Sequence, residues 1–219
     1  NRKIYKYHNS LKNMLKILQH IKKTANATAN KQAPFHEAKE ALESQGYTII
    51  SLEDNARLRI QQGKDAFVSR NGNWVREGVL YVPGKGRLLT KASPIMLNAK
   101  EATDAHRKGK DYFLTDEQVE QSLTDFVELS GEPIPTDRFG ENPITNYAFG
   151  RVAEQYGNFL RGEGIKEMPI WLVDLQDKPF ARQMWFGNLV NRSGLNGYDR
   201  NLNDDRRIRG VSMKTSEAR

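Results

Sequence analysis

The sequence predicts an α+β protein: an N-terminal amphipathic helix, a small antiparallel β-meander, then a helical section with a further strand and an Arg-rich tail. Three observations carry this reading. Apolar residues recur at helical spacing near the start, short β-rich runs between Gly and Pro turns fill residues 47–92, and helix-capping signals recur from residue 98 onward. At 219 residues the chain can bury a core without covalent staples. It divides into an arm and linker at 1–33 and a single α+β domain at 34–219, sheet-containing over 34–95 and mainly helical over 96–219.

The arm is read from Ile4, Tyr7, Leu11, Met14, Leu18 and Ile21, which alternate at intervals of three and four and form a short heptad seam. Lys12, Lys16 and Lys23 fall on the opposite side of that helix. Eight of the 34 Lys and Arg, and none of the 27 Asp and Glu, lie in residues 1–36. The remaining 26 basic and 27 acidic residues nearly cancel, so the net charge of +7 belongs to the arm rather than the body. Three fates compete for this helix: docking on its own chain, burial in a protein partner or second copy, and contact with an anionic surface such as nucleic acid. The seam ranks docking above anion binding, because an isolated helix of this length is marginal in water. The run "TANATANKQA" after it reads as a linker.

In the body, "PFHEAKEALESQG" reads as a short helix ended by Gly46. "YTIISL", "AFVSR", "WVREGVLYV" and "RLLTKA" read as strands of a meander, the middle two joined by an Asn71-Gly72 hairpin turn and the last two by "PGKG". Residues 53–63 are a loop or short helix. Asn98 with Glu101, and Thr115 with Gln118, have capping-box spacing. The second opens a helix with Val119, Leu123, Phe126 and Val127 on one stripe. Asn142-Pro143 starts a longer helix that turns Ile144, Ala148, Val152, Tyr156 and Phe159 or Leu160 inward. "MPIWLVD" reads as a buried strand, Asp177 and Pro179 as the cap of a helix "PFARQMWFGNLVN", and "RIRGVSM" as a last strand. The three tryptophans are taken as core.

Motifs for chemistry are sparse. The chain has no Cys, which excludes disulfides, thiolate metal sites and Cys nucleophiles and fits a reducing, cytoplasmic setting. No apolar run is long enough to span a bilayer. The four histidines are scattered, and no Walker loop, nucleophile elbow or dinucleotide fingerprint occurs. "DRNLNDDRRIRG" from Asp199 starts like a calcium loop but has Asp204 where its turn needs Gly and Gly210 where the bidentate Glu belongs. No metal and no cofactor is therefore expected. Arg192, Arg200, Arg206, Arg207 and Arg209 crowd near Tyr198, a pattern suited to phosphates, although Asp199, Asp204 and Asp205 interleave with them. The sequence accordingly suggests a non-catalytic binding protein whose arm engages a protein partner, a second copy or nucleic acid. The alternative is an enzyme acting on a phosphate-bearing or nucleic-acid substrate through Asp174 with Asp204 or Asp205.

Overall fold

A computed structural model describes residues 22–24, 28–199 and 201–212. The fold is a mixed α+β arrangement around one mixed sheet, which has eleven strands among the described residues. Strands β1 (Lys22–Thr24) and β2 (Thr28–Ala33) form an antiparallel edge pair, followed by helix α1 (Phe35–Glu43) and strand β3 (Tyr47–Ile49). Helix α2 (Leu52–Gln62) and a short helix α3 (Phe67–Arg70) lead into the long strand β4 (Asn73–Val82). The Pro83–Lys85 turn returns the chain as β5 (Gly86–Thr90), the expected hairpin. Helices α4 (Pro94–Leu97) and α5 (Ala99–Arg107), strand β6 (Tyr112–Phe113), helix α6 (Asp116–Ser122) and strand β7 (Phe126–Glu128) follow. A two-stranded outlier of β8 (Ile134–Pro135) and β9 (Glu167–Met168) brackets helices α7 (Pro143–Phe149) and α8 (Ala153–Gly162). The chain ends in β10 (Ile170–Trp171), β11 (Phe180–Phe186), β12 (Leu195–Asn196) and β13 (Arg206–Ser212).

The main sheet runs β1-β2-β13-β4-β11-β12-β10, with β3 on β13, β6 on β11, and β5 and β7 continuing from β4. The last strand therefore inserts between the first long strand and the middle of the sheet. It is antiparallel to β2, from Arg206 opposite Ala33 to Val211 opposite Thr28, and parallel to β4 at Ile208 and Trp74. Successive β4 side chains go to opposite faces. Val75, Val79 and Tyr81 join a core with α2, α7, α8, Phe180, Met184 and Phe186. Trp74, Leu80 and Val82 join the other, with α1, α5, Ala181 and Ile208. With both faces buried, β4 carries apolar side chains on both sides at Trp74-Val75 and Val79–Val82, interrupted by Arg76-Glu77-Gly78.

Several expectations hold. Thr115 and Gln118 form both bonds of a capping box, and the Asn142 side chain caps α7 above Pro143. Ile144, Ala148, Val152, Tyr156 and Leu160 all point inward, though Gly150 breaks the helix in two. Others need correction. Residues 28–33 form a sheet strand rather than a linker, because β13 supplies a partner that the small polar side chains alone do not announce. Lys23 lies in β1, not on the far face of a helix, and the rest of the expected arm helix, including Ile4, Tyr7, Leu11, Met14, Leu18, Ile21, Lys12 and Lys16, falls outside the described residues.

"AFVSR" is helical, so Asn71-Gly72 joins a helix to a strand and makes no hairpin, and β3 pairs with β13 rather than forming a meander. The Asn98 side chain donates to the Pro94 carbonyl instead of capping α5. Helix α6 stops at Ser122, leaving Phe126 exposed on a strand. Phe180–Phe186, within the expected helix "PFARQMWFGNLVN", form strand β11, the neighbour of β4. Tertiary pairing with a central strand overrides the apparent Pro cap. No helix among the described residues is long and apolar enough to cross a membrane.

Candidate functional site

Beyond β11 the chain makes a loop, residues 187–199, whose backbone is fixed from several sides. Gly187 N–H donates to the Gly194 carbonyl at 2.8 Å and closes its neck. The Leu189 N–H donates to Ser69 at 3.0 Å and the Asn188 amide to the Arg70 carbonyl at 3.2 Å, tying the tip to α3. Arg192 and Ser193 have φ of 53° and 52°, a left-handed conformation that costs non-Gly residues on the order of 1 kcal/mol each. What holds them there is buried. Ser193 Oγ accepts from Tyr156 Oη at 2.8 Å and from Arg59 Nη1 at 2.9 Å, inside the core.

The return limb is equally fixed. Tyr81 Oη donates to the Gly197 carbonyl at 3.0 Å, and burial pushes the Tyr81 phenol up, so it remains a donor. A Cβ on Gly197 would stand 2.8 Å from that oxygen, which is why only glycine fits. Arg182, ion-paired with Asp111, donates to the Tyr198 carbonyl at 2.8 Å. The Asn196 side chain accepts the Tyr198 N–H at 2.8 Å and donates to Asp199 at 2.9 Å, making a side-chain-closed turn.

Three aromatic residues and several amides emerge from this frame. Trp171, Trp185, Gly187, Asn191, Asn196, Tyr198 and Asp199 line a depression of about 250 Å³. A second depression, of about 390 Å³, lies against Arg87, Gly131, Glu132, Ile170, Leu172 and the same Trp171 and Tyr198. Trp171 and Tyr198 are thus the shared wall between two hollows, and 36 % and 54 % of each is exposed. Trp185 is anchored edge-on to buried Trp74 at 5.5 Å, with the Arg206 guanidinium 5.8 Å over its ring. Cavities for drug-sized ligands or cofactors start near 300 Å³. The smaller hollow instead suits one side chain or one ring.

Each of the predicted acids has its own surroundings. Asp174 is fully exposed and 3.4 Å from Arg87, Asp204 pairs with Arg206 at 3.0 Å, and Asp205 is exposed with its carbonyl accepting from Gln32. No cluster of three His, Asp or Glu fit to hold a metal occurs among the described residues. The arginines also separate. Arg192 pairs with Glu167 at 2.7 Å on the loop, Arg207 and Arg209 sit on the inner part of β13, and Arg200 lies outside the described residues. The sequence points to Tyr198 only as a neighbour of the arginines, and it gives no sign that Trp171 and Asn191 share a face with it, because tryptophan is usually core. The signal that marks them is composition: residues 185–201 hold Trp, Tyr, Ser, Gly and Asn in a stretch with little aliphatic content.

No family model matches the sequence, and no curated protein is detectably similar to it. In fold, the chain is similar to a solved structure described as showing the accommodation of massive sequence variation in Nanoarchaeota by the C-type lectin fold. That similarity has a TM-score of 0.59 and 18% identity, and it covers 84% of this chain and 95% of the other. At that identity the likeness is one of fold.

Proposed function

We propose that this protein is a recognition module that binds a protein partner through the face centred on Trp171 and Tyr198. The observation that carries the reading is the contrast between a rigid loop backbone and exposed, adaptable side chains. Tyr and Trp supply large contact area at small entropic cost, while Ser, Gly and Asn supply versatile hydrogen bonding, the chemistry that binding loops elsewhere use. A backbone already fixed by Ser193, Gly197 and Asn196 has little ordering left to do on association. The fold likeness supports this, since the related structure is described as accommodating massive sequence variation, which suits a scaffold whose loop side chains are free to differ.

The test is capture from the source organism's extract on immobilised full-length chain. The unmodified protein and a control substituted at a distant exposed site, Lys108→Ala, should retain the same partner. The double variant Trp171→Ala/Tyr198→Ala should retain at least about 10-fold less, as expected for central aromatic anchors. Undiminished capture by the double variant would refute the face. A chain lacking residues 1–21 separates this surface from the arm seam at Ile4–Ile21, the other contact the sequence suggests: loss of capture only on that deletion would assign binding to the arm, whether to a protein or to nucleic acid.

A further inference from the structure

Three arginines gather around the short helix α3 without an acid. Arg59, fully buried, donates through Nε to the Val68 carbonyl at 3.1 Å and lies 4.0 Å over the Phe186 ring, yet its Nη2 has no partner. Arg209, 2 % exposed, reaches only Thr28 Oγ1, at 3.3 Å, and leaves both Nε and Nη2 buried and unsatisfied. Arg207 precedes it by two residues on the same face of β13. It donates to Asn71 at 3.1 Å and more weakly to Gln32 at 3.5 Å, and its Nε is unsatisfied. The Arg207 and Arg209 guanidiniums stand 4.9 and 5.3 Å from the centre of one ring, Phe67, which is itself 37 % exposed.

Several other arginines are paired. Arg87, Arg107, Arg182, Arg192 and Arg206 each have a carboxylate, whereas none of these three does among the described residues. A desolvated guanidinium with open donors is unfavourable, and a contact with an aromatic face offsets only part of that loss. Like charges compound it. Burial, followed by the charges of Arg59 and Arg207, lowers the Arg209 pKa to about 10. What restores the balance is an anion with several acceptor oxygens, because guanidinium forks offer paired donors that a single carbonyl does not satisfy.

We propose that Arg207 and Arg209 form a binding site for a tetrahedral oxyanion, phosphate or sulfate, entered beside Phe67 and Asn71, with Arg59 adding to the local positive charge. The site is separate from the aromatic face and stands whether or not that face binds a protein. It is tested by thermal unfolding of the full chain in sodium phosphate, sulfate, acetate and chloride at one ionic strength and pH. Phosphate and sulfate should raise the midpoint saturably, by about 3 °C at ten times the dissociation constant, with acetate giving less. Calorimetric titration with phosphate should show one site.

Arg209→Met should abolish the phosphate increment while leaving the midpoint in chloride unchanged or higher, because it replaces an unpaired buried cation with an apolar chain of similar length. Should that variant fail to fold, the half-buried Arg207→Gln reads the same increment and should shrink it. No rise over chloride in the unmodified chain, equal rises in acetate and phosphate, or an increment that survives in the Arg207 and Arg209 variants would each overturn the proposal.

Discussion

Replacing Glu77 by glutamine should stabilise this protein at pH 8 and do so much less at pH 5. Glu77 is buried in the middle of β4, 1 % exposed. Its Oε2 accepts the Leu52 N–H at the start of α2, at 3.1 Å, and its Oε1 lies 3.7 Å from the half-exposed Arg76. Burial dominates and lifts its pKa from 4.5 to about 7, against the pull of Arg76 and the backbone hydrogen bonds. An unfolded chain loses this proton near the lower value and the folded chain near the higher one. Between them the folded state holds more protons, so stability falls as pH rises through that window and levels off above it.

At about 1.4 kcal/mol per pH unit, the ceiling of the effect is about 3 kcal/mol. Glutamine keeps an acceptor for Leu52 and carries no charge, so the variant should gain between about 1 and 3 kcal/mol at pH 8. The assay is urea unfolding of both proteins at intervals from pH 5 to pH 8. A stability difference that stays constant across that range, or a variant less stable at pH 8, would refute the assignment of a protonated buried carboxyl. Comparing the two proteins matters because His106 drives the unmodified profile the opposite way.

Burial lowers the His106 pKa from 6.5 to about 4, its Nδ1 accepting the Leu202 N–H at 3.0 Å. Stability from the neutral ring is complete above pH 6.5 and is lost as pH falls toward 4, up to about 3 kcal/mol, and the ring's NMR titration should show a midpoint below 5. Gly197→Ala should cost about 1–3 kcal/mol through its clash with Tyr81 Oη. Tyr81→Phe should recover part of that loss, so a double-mutant cycle in urea should show favourable coupling, and strict additivity would exclude the contact as the cause. Thr115→Ala should remove about 1 kcal/mol by opening the α6 capping box, again by urea midpoint, and an unchanged midpoint would show that the cap carries no stability.

How far the sequence disclosed all this depended on whether the deciding interaction was local. The Thr115 box, the Asn142 cap and the "PGKG" turn are settled within four or five residues, and all three are where the residues place them. The stripe from Ile144 to Leu160 was visible because one helix face meets one core. By contrast, β2 takes most of its pairing from β13, some 180 residues away, and nothing in Thr28–Ala33 announces that partner. Strand β11 failed for a related reason: Phe180, Met184 and Phe186 face one core and Ala181 the other, which erases the alternation that marks a half-exposed strand. The aromatic face was missed because Trp171 looks like core unless Gly194 is known to stack its backbone against the ring.

The position of β13 also dictates an order of events. It is the last strand described, yet it lies inside the sheet and joins β2 and β3 to β4. Until residues 206–212 arrive, those strands have no partner on that side and present open edges, the surfaces most prone to pair with another chain. A chain emerging from the ribosome thus carries an unfinished sheet until nearly all of these residues are made. Its closure is a long-range event between residues far apart in sequence, which places folding among the slower topologies. The strand that joins the sheet last is also the one that brings Arg207 and Arg209 to Phe67, so no intermediate lacking it has the anion site.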